Sequence, residues 1–164
     1  MNELKRIFTN KNFLRLMLIN MFFGMTEALL TLRTTFLSIN GMSPSQIGVI
    51  FSITNIIGTV SPLVGGALAD RYFSRYQVFL VSLFGYAAVM TFMPLSAEIS
   101  IGSGILSMIL MPMIQMFHPV GSAMIATSSI NAACSEEDKV DYSMFRIWMS
   151  IGYTVANFLY TPLI

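Results

Sequence analysis

With 164 residues the chain has the length of one soluble domain, yet 55% of its residues are hydrophobic and only 10% are charged, where a globular chain carries roughly a quarter. That balance excludes water as the main solvent, and a net charge of +1 without a long basic run excludes a nucleic-acid partner. The single cysteine, Cys134, can form neither an internal disulfide nor a zinc site.

Five apolar segments follow in chain order, at 13–39, 45–69, 77–97, 101–130 and 142–164, each long enough to cross a hydrocarbon core of about 30 Å. They predict an all-α polytopic membrane protein with about five transmembrane helices. The first segment is too long, and too charged at its flank, for a cleaved signal peptide, so it stays as a span. Within it Asn20, Gly24, Glu27, Thr31, Thr34 and Ser38 follow steps of four and three, which places them on one helical face turned toward a cavity or other helices. Glu27 lies near mid-depth, where an ionised carboxylate costs roughly 2.5 to 3.5 kcal/mol. It is either a proton carrier or a neutral acid hydrogen-bonded to a neighbouring helix. Arg33 falls on a different face near the other end, as a snorkelling interfacial residue or a gate residue.

The turn Asn40-Gly41-Met42-Ser43-Pro44 introduces the second segment. Its Ser52, Asn55 and Thr59 form a polar stripe, with Gly58, Pro62 and Gly66 beside them for close backbone approach. The segment ends in Asp70-Arg71, meets Arg75 across a short basic loop, and passes directly into the third, VFLVSLFGYAAVMTFMPL. That third segment lacks a polar stripe and is expected to be the most lipid-exposed. After a short turn at 96–100 the fourth segment carries Gln115, His118, Ser122 and Ser129 on one face. Pro112 and Pro119 are expected to interrupt it and bend it near His118, either as part of a substrate site or as ordinary kinks. His118, the lone histidine, either exchanges protons or is buried and satisfied by a neighbour. The fifth segment has Arg146, Ser150, Tyr153, Asn157 and Tyr160 on one stripe.

Lys5, Arg6, Lys11, Arg15, Arg71, Arg75, Lys139 and Arg146 fall on the side of the N-terminus, and only Arg33 toward the other. The N-terminus is therefore expected to be cytoplasmic, in the cell membrane. The last segment runs into Tyr160-Thr161-Pro162-Leu163 without an interfacial anchor, so the chain is expected to be cut short inside or just after its fifth helix.

The spacing Gly66-x-x-x-Asp70-Arg71-x-x-x-Arg75 resembles the signature between the second and third helices of the major facilitator superfamily. The likeness covers essentially the whole chain, from Asn10-Lys11-Asn12-Phe13, through Gly41-Met42-Ser43-Pro44-Ser45-Gln46-Ile47-Gly48, to Gly152. It departs at Phe73, where the family has a glycine, and at Tyr76, where it has a basic residue. The resemblance implies the N-terminal six-helix half of a twelve-helix secondary transporter, whose missing C-terminal half completes a central site. Gly66, Asp70, Arg71 and Arg75 would then form a conformational motif, with Asp70 opposing a helix N-terminus in one state only.

The segment 141–152, DYSMFRIWMSIG, resembles the oligosaccharide:proton symporter branch, in which the arginine binds a sugar hydroxyl together with a glutamate of the fourth helix. Here Ser122 stands where that glutamate is expected. Together the stripes and the resemblance assign proton coupling to Glu27 and His118, and contact with a small-molecule solute to Asn20, Thr31, Asn55, Ser122, Arg146 and Asn157. Protons, the solute, the lipid bilayer and the missing half are the expected partners, with no cofactor and no metal. The alternatives are a multidrug:proton antiporter and a non-transporting membrane interaction protein. An intramembrane serine protease built on Ser103 and His118 would need a glycine where Ile101 stands, and no His-Glu-x-x-His or paired-acid metal motif occurs. No enzyme is expected.

Overall fold

The computed structural model describes residues 10–94, 105–134 and 141–160. The regular elements among them are all helices: α1 (Lys11–Thr31), α2 (Arg33–Ile39), α3 (Pro44–Arg71), α4 (Arg75–Phe92), α5 (Ile105–Ala133) and α6 (Tyr142–Tyr160). Four stretches are long and apolar enough to cross a membrane: Lys11–Ile39, which joins α1 and α2, then α3, α4, and Leu106–Ala133 of α5. They coincide with the first four expected segments. The expected turn at 96–100, the ends of the third and fifth segments, the start of the fourth at 101–104, and Lys5, Arg6 and Lys139 lie outside the described residues.

The fifth segment folds as the helix α6, but over its described residues it is not among those four spans. Arg146, Ser150, Thr154 and Asn157 recur along it, whereas Phe145, Gly152 and Ala156 are buried. One side of the helix is packed, and the other carries this polar stripe beside the exposed Ile147, Ile151, Val155, Phe158 and Leu159.

Side-chain caps fix where the helices begin. Ser43 and Ser74 each accept a hydrogen bond from the backbone N–H three residues on, and Gln46 and Gln77 reach back to the capping residues' N–H at 2.9 Å. Two reciprocal capping boxes thus start α3 and α4, with Pro44 opening α3 where no N–H is needed. Gly41 turns the chain between α2 and α3 at φ 77°, a left-handed conformation that a side chain disfavours. Within the first span, the N–H of Leu32 bonds to Leu29 O at 3.2 Å. The Thr26 and Thr31 hydroxyls donate to carbonyls three residues back, each at 2.7 Å. This tightened turn with back-bonded threonines separates α1 from α2.

The described residues form two compact units, one drawn from 1–33 and 125–164, the other from 34–124. In the first, α1 packs along α6. Phe13 meets Phe145 with ring centroids 6.0 Å apart, inside a cluster with Met17 that Trp148 and Leu16 flank. Further along, a Cβ at Gly24 would strike the Met149 carbonyl, and one at Gly152 would strike that of Met21. From the Phe13/Phe145 contact to the contacts of residues 21–24 with 149–152 both series rise, so the helices run in the same direction, and at the glycines they touch through their backbones, as small residues allow in membranes.

In the second unit, side chains of α5 fill hollows over glycines of α3 and α4: Gln115 over Gly58, Val120 over Gly65, and the Phe117 ring over Gly85. Gly65, and not Gly66, is the close-packing position at the end of α3, because a Cβ at Gly66 would have nothing within 4 Å. The most apolar windows of α3 and α4 are equally exposed, with 17% buried in each, against 50% in α5. The expected singular exposure of the third segment is therefore shared with the second.

The two prolines do not interrupt α5, which continues through both Pro112 and Pro119. Pro119 has no N–H to offer the carbonyl of Gln115 four residues back. The Ser61 hydroxyl of α3 donates to that carbonyl at 3.0 Å and replaces the missing bond.

Candidate functional site

Glu27 sits on α1 three residues beyond Gly24, which the Met149 backbone approaches, and it is half-buried. Arg146, exposed near the start of α6, is close enough for its charge to act on the Glu27 carboxyl. A carboxyl and a guanidinium thus share one side of the α1/α6 pair. Their backbones are held in fixed register by the Gly24 and Gly152 contacts. Arg146 lines a shallow depression of about 690 Å³ on α6, together with Asp141, Ser143, Ser150 and Thr154 and with the apolar Ile147, Ile151 and Val155. The Ser150 and Thr154 hydroxyls are spent on carbonyls four residues back, at 3.3 and 2.9 Å. The Arg146 head is therefore the strongest donor there.

The other candidates divide between the units. Asn20 is 3% exposed and donates to Leu16 O at 2.8 Å and to Ser129 Oγ at 3.1 Å, with Ser129 fully buried. Its amide ties α1 to the end of α5. Thr31 is exposed, with its hydroxyl bonded to Ala28 O, and Asn157 donates to Tyr153 O at 2.9 Å. In the second unit Asn55 is exposed on α3, and Ser122 is half-buried on α5. His118 is 6% exposed, with its ring centroid 5.2 Å from that of Tyr86 on α4. The stripe of the first span consequently serves two purposes. Asn20 and Gly24 are packing groups, while Glu27 and Thr31 remain partly or fully accessible.

The charged turn is short. Asp70 and Arg71 close α3, Arg75 opens α4, and all three are exposed. The N–H groups of Tyr72 and Phe73 both return to Leu68 O at 3.0 Å, which makes a compact exit despite the absence of the glycine expected at Phe73.

Residue choice from the sequence passed over Gln115 and Ser61. The Gln115 Oε1 is buried without a hydrogen-bond partner among the described residues, and a buried unmet acceptor is uncommon enough to mark a position. Only its place on the polar stripe of α5 signalled it. Among the described residues no three His, Cys, Asp or Glu side chains gather as metal ligands.

A family model described as "MFS_1 like family" matches residues 13–164. No curated protein and no solved structure matches the chain.

Proposed function

The chain belongs to the MFS_1-like family, and from that premise we propose that it is part of a proton-coupled secondary transporter for a small solute, with Glu27 as the proton-carrying group and Arg146 as its charge partner and solute contact. Membership makes it a multi-pass membrane chain of transporter type. The observation that carries the finer reading is a half-buried carboxyl, Glu27, on a helix locked by backbone contact to the one that carries the Arg146 cation. An acid inside a span marks an ion pathway by default. An arginine beside it supplies a charge whose pull changes when the carboxyl gains a proton. The depression on α6 gives a small solute a largely apolar wall, with the Arg146 cation at its side.

Polar surface within a span needs protein or water against it. The exposed Arg146 and Ser150 of α6, and Asn55 and Thr59 of α3, supply such surface. This supports alternating access against a second, facing half, and the basic residues Lys11, Arg15, Arg71, Arg75 and Arg146 favour a cytoplasmic N-terminus. The turn of Asp70, Arg71 and Arg75 would then bias which side is open.

The test is transport by the complete gene product in proteoliposomes. Glu27→Gln keeps shape and hydrogen bonding but cannot release a proton, so gradient-driven accumulation is expected to fall at least tenfold while solute exchange persists. Arg146→Ala is expected to raise the solute concentration needed for half-maximal exchange. Accumulation by Glu27→Gln with unaltered pH dependence would remove the coupling role. Unchanged affinity in Arg146→Ala would leave that residue as a topogenic anchor only.

A further inference from the structure

The groove between α3, α4 and α5 plays no part in that scheme. It holds about 600 Å³ and is walled by apolar side chains, among them Val60, Val64, Leu68, Phe73, Val81 and Met116. Its polar members are already engaged. The Ser61 hydroxyl donates to Gln115 O at 3.0 Å and that of Ser82 to Phe79 O at 2.7 Å, while the Gln77 side-chain oxygen accepts from Ser74 N at 2.9 Å. A polar solute would find little to bond there, whereas an aliphatic chain would be accommodated along its whole length.

The α3 wall runs from Ile56 to Leu68, about 18 Å at roughly 1.5 Å per residue. One leaflet of a hydrocarbon core is about 15 Å deep. The groove therefore starts at the charged turn and ends near mid-bilayer.

Both walls end in a cation. On α3 the groove positions recur at Ser61, Val64 and Leu68, and the next residue of that stripe is Arg71, three beyond Leu68. On α4 the stripe through Val81 and Val78 continues back to Arg75, three before Val78. Both arginines are exposed, and Phe73 of the turn between them lines the groove itself. An apolar slot one leaflet deep beneath two guanidinium groups matches a ligand with an aliphatic tail and an anionic head. We propose that this groove binds an anionic phospholipid, with an acyl chain between α3, α4 and α5 and the headgroup phosphate at Arg71 and Arg75. Guanidinium groups pair with phosphate through paired N–H donors, and basic pockets between membrane helices collect anionic headgroups. The assignment stands whatever solute the protein carries.

The test reconstitutes the full chain in phosphatidylcholine vesicles containing either spin-labelled phosphatidylglycerol or spin-labelled phosphatidylcholine. The motionally restricted fraction of each label is then measured. Two arginines set the expected preference for phosphatidylglycerol at roughly five- to thirty-fold, falling as salt is raised. A phosphatidylglycerol with a photoreactive acyl chain is expected to form adducts at Val60, Val64, Val81 or Met116. Arg71→Gln with Arg75→Gln should abolish the headgroup preference, and Val60→Trp with Val81→Trp should abolish the adducts. If either pair fails to reach wild-type helicity, the wild-type measurements decide alone. Equal restriction of the two labels, or adducts confined to other faces, would overturn the proposal. Chain-to-chain cross-links through the groove in place of lipid adducts would overturn it as well and give the surface to a second copy.

Discussion

The α1/α6 pair and the contact of α5 with α3 and α4 both depend on glycine, but they use it differently. In the first, Gly24 and Gly152 let two backbones meet, each against a carbonyl of the other helix. In the second, Gly58, Gly65 and Gly85 receive the side chains of Gln115, Val120 and Phe117. A carbonyl in a helix cannot step aside without moving the helix, whereas a side chain can change rotamer. The first arrangement is therefore rigid and fixes the register of Glu27 against Arg146. The second is adaptable, and it leaves a groove of about 600 Å³ along one side.

Alanine substitutions at these glycines measure that difference directly. Gly24→Ala and Gly152→Ala are expected to cost about 3 kcal/mol each, the upper end for overpacking, because only helix separation relieves the clash. Gly65→Ala should cost about 1 to 2 kcal/mol, since the branched Val120 side chain must shift. Gly58→Ala should also cost about 1 to 2 kcal/mol, because the nearest atom is Gln115 Cγ, close to the α5 backbone, and Gly66→Ala, with open space around it, should be neutral or stabilising by up to about 1 kcal/mol. Trp148, the only tryptophan, packs beside the Phe13, Met17 and Phe145 cluster. Its fluorescence during denaturation in mixed detergent micelles therefore reports on the α1/α6 seam. Equal costs at Gly24 and Gly58 would erase the distinction between the two contacts.

Pro119 offers a second comparison, because the adaptable contact contains one bond it cannot spare. Ser61→Ala removes the hydroxyl that donates to the carbonyl the proline orphans, and a buried unmet carbonyl costs about 1 to 3 kcal/mol. Pro119→Ala returns a backbone N–H to that carbonyl. In the Pro119→Ala background, Ser61→Ala is expected to cost about 1 kcal/mol less than in the wild type, measured by the same denaturation followed by far-ultraviolet circular dichroism. Additive costs would show that the Ser61 hydroxyl contributes nothing specific to keeping α5 continuous.

What the sequence made legible follows the range of each force. Burial in lipid is set by local composition, so the first four spans could be placed by their apolar runs alone. The capping boxes at Ser43 and Ser74 are equally local, and the S-x-x-Q pattern was present to be read. Glycine packing was misplaced by one residue, because Gly65 and Gly66 differ by one helical step of about 100°, and only the position of Val120 distinguishes them. The continuity of α5 through Pro119 depends on a serine in another helix, which no reading of α5 could supply. The polar stripes were real as spacings. Their purpose was illegible, since a stripe that lines a cavity and one that seals a seam have the same period.

Asn20 is the residue on which those two purposes separate, and the expected effect is the smallest. Its amide donates to Ser129 Oγ at 3.1 Å inside the α1 unit, and hydrogen bonds of this kind between membrane helices average about 0.6 kcal/mol, with about 1.7 at most. A double-mutant cycle of Asn20→Ala and Ser129→Ala is therefore expected to show coupling of roughly that average. The same variants separate a structural role from a solute contact in the complete protein. If Asn20 serves the seam, losing either partner loosens α1 by the same amount, and the two single variants should change solute affinity equally and slightly. An affinity loss in Asn20→Ala that Ser129→Ala does not share would mean that the amide faces the solute. The contact between α1 and the end of α5 would then do without that bond, and the α1/α6 seam would be untouched.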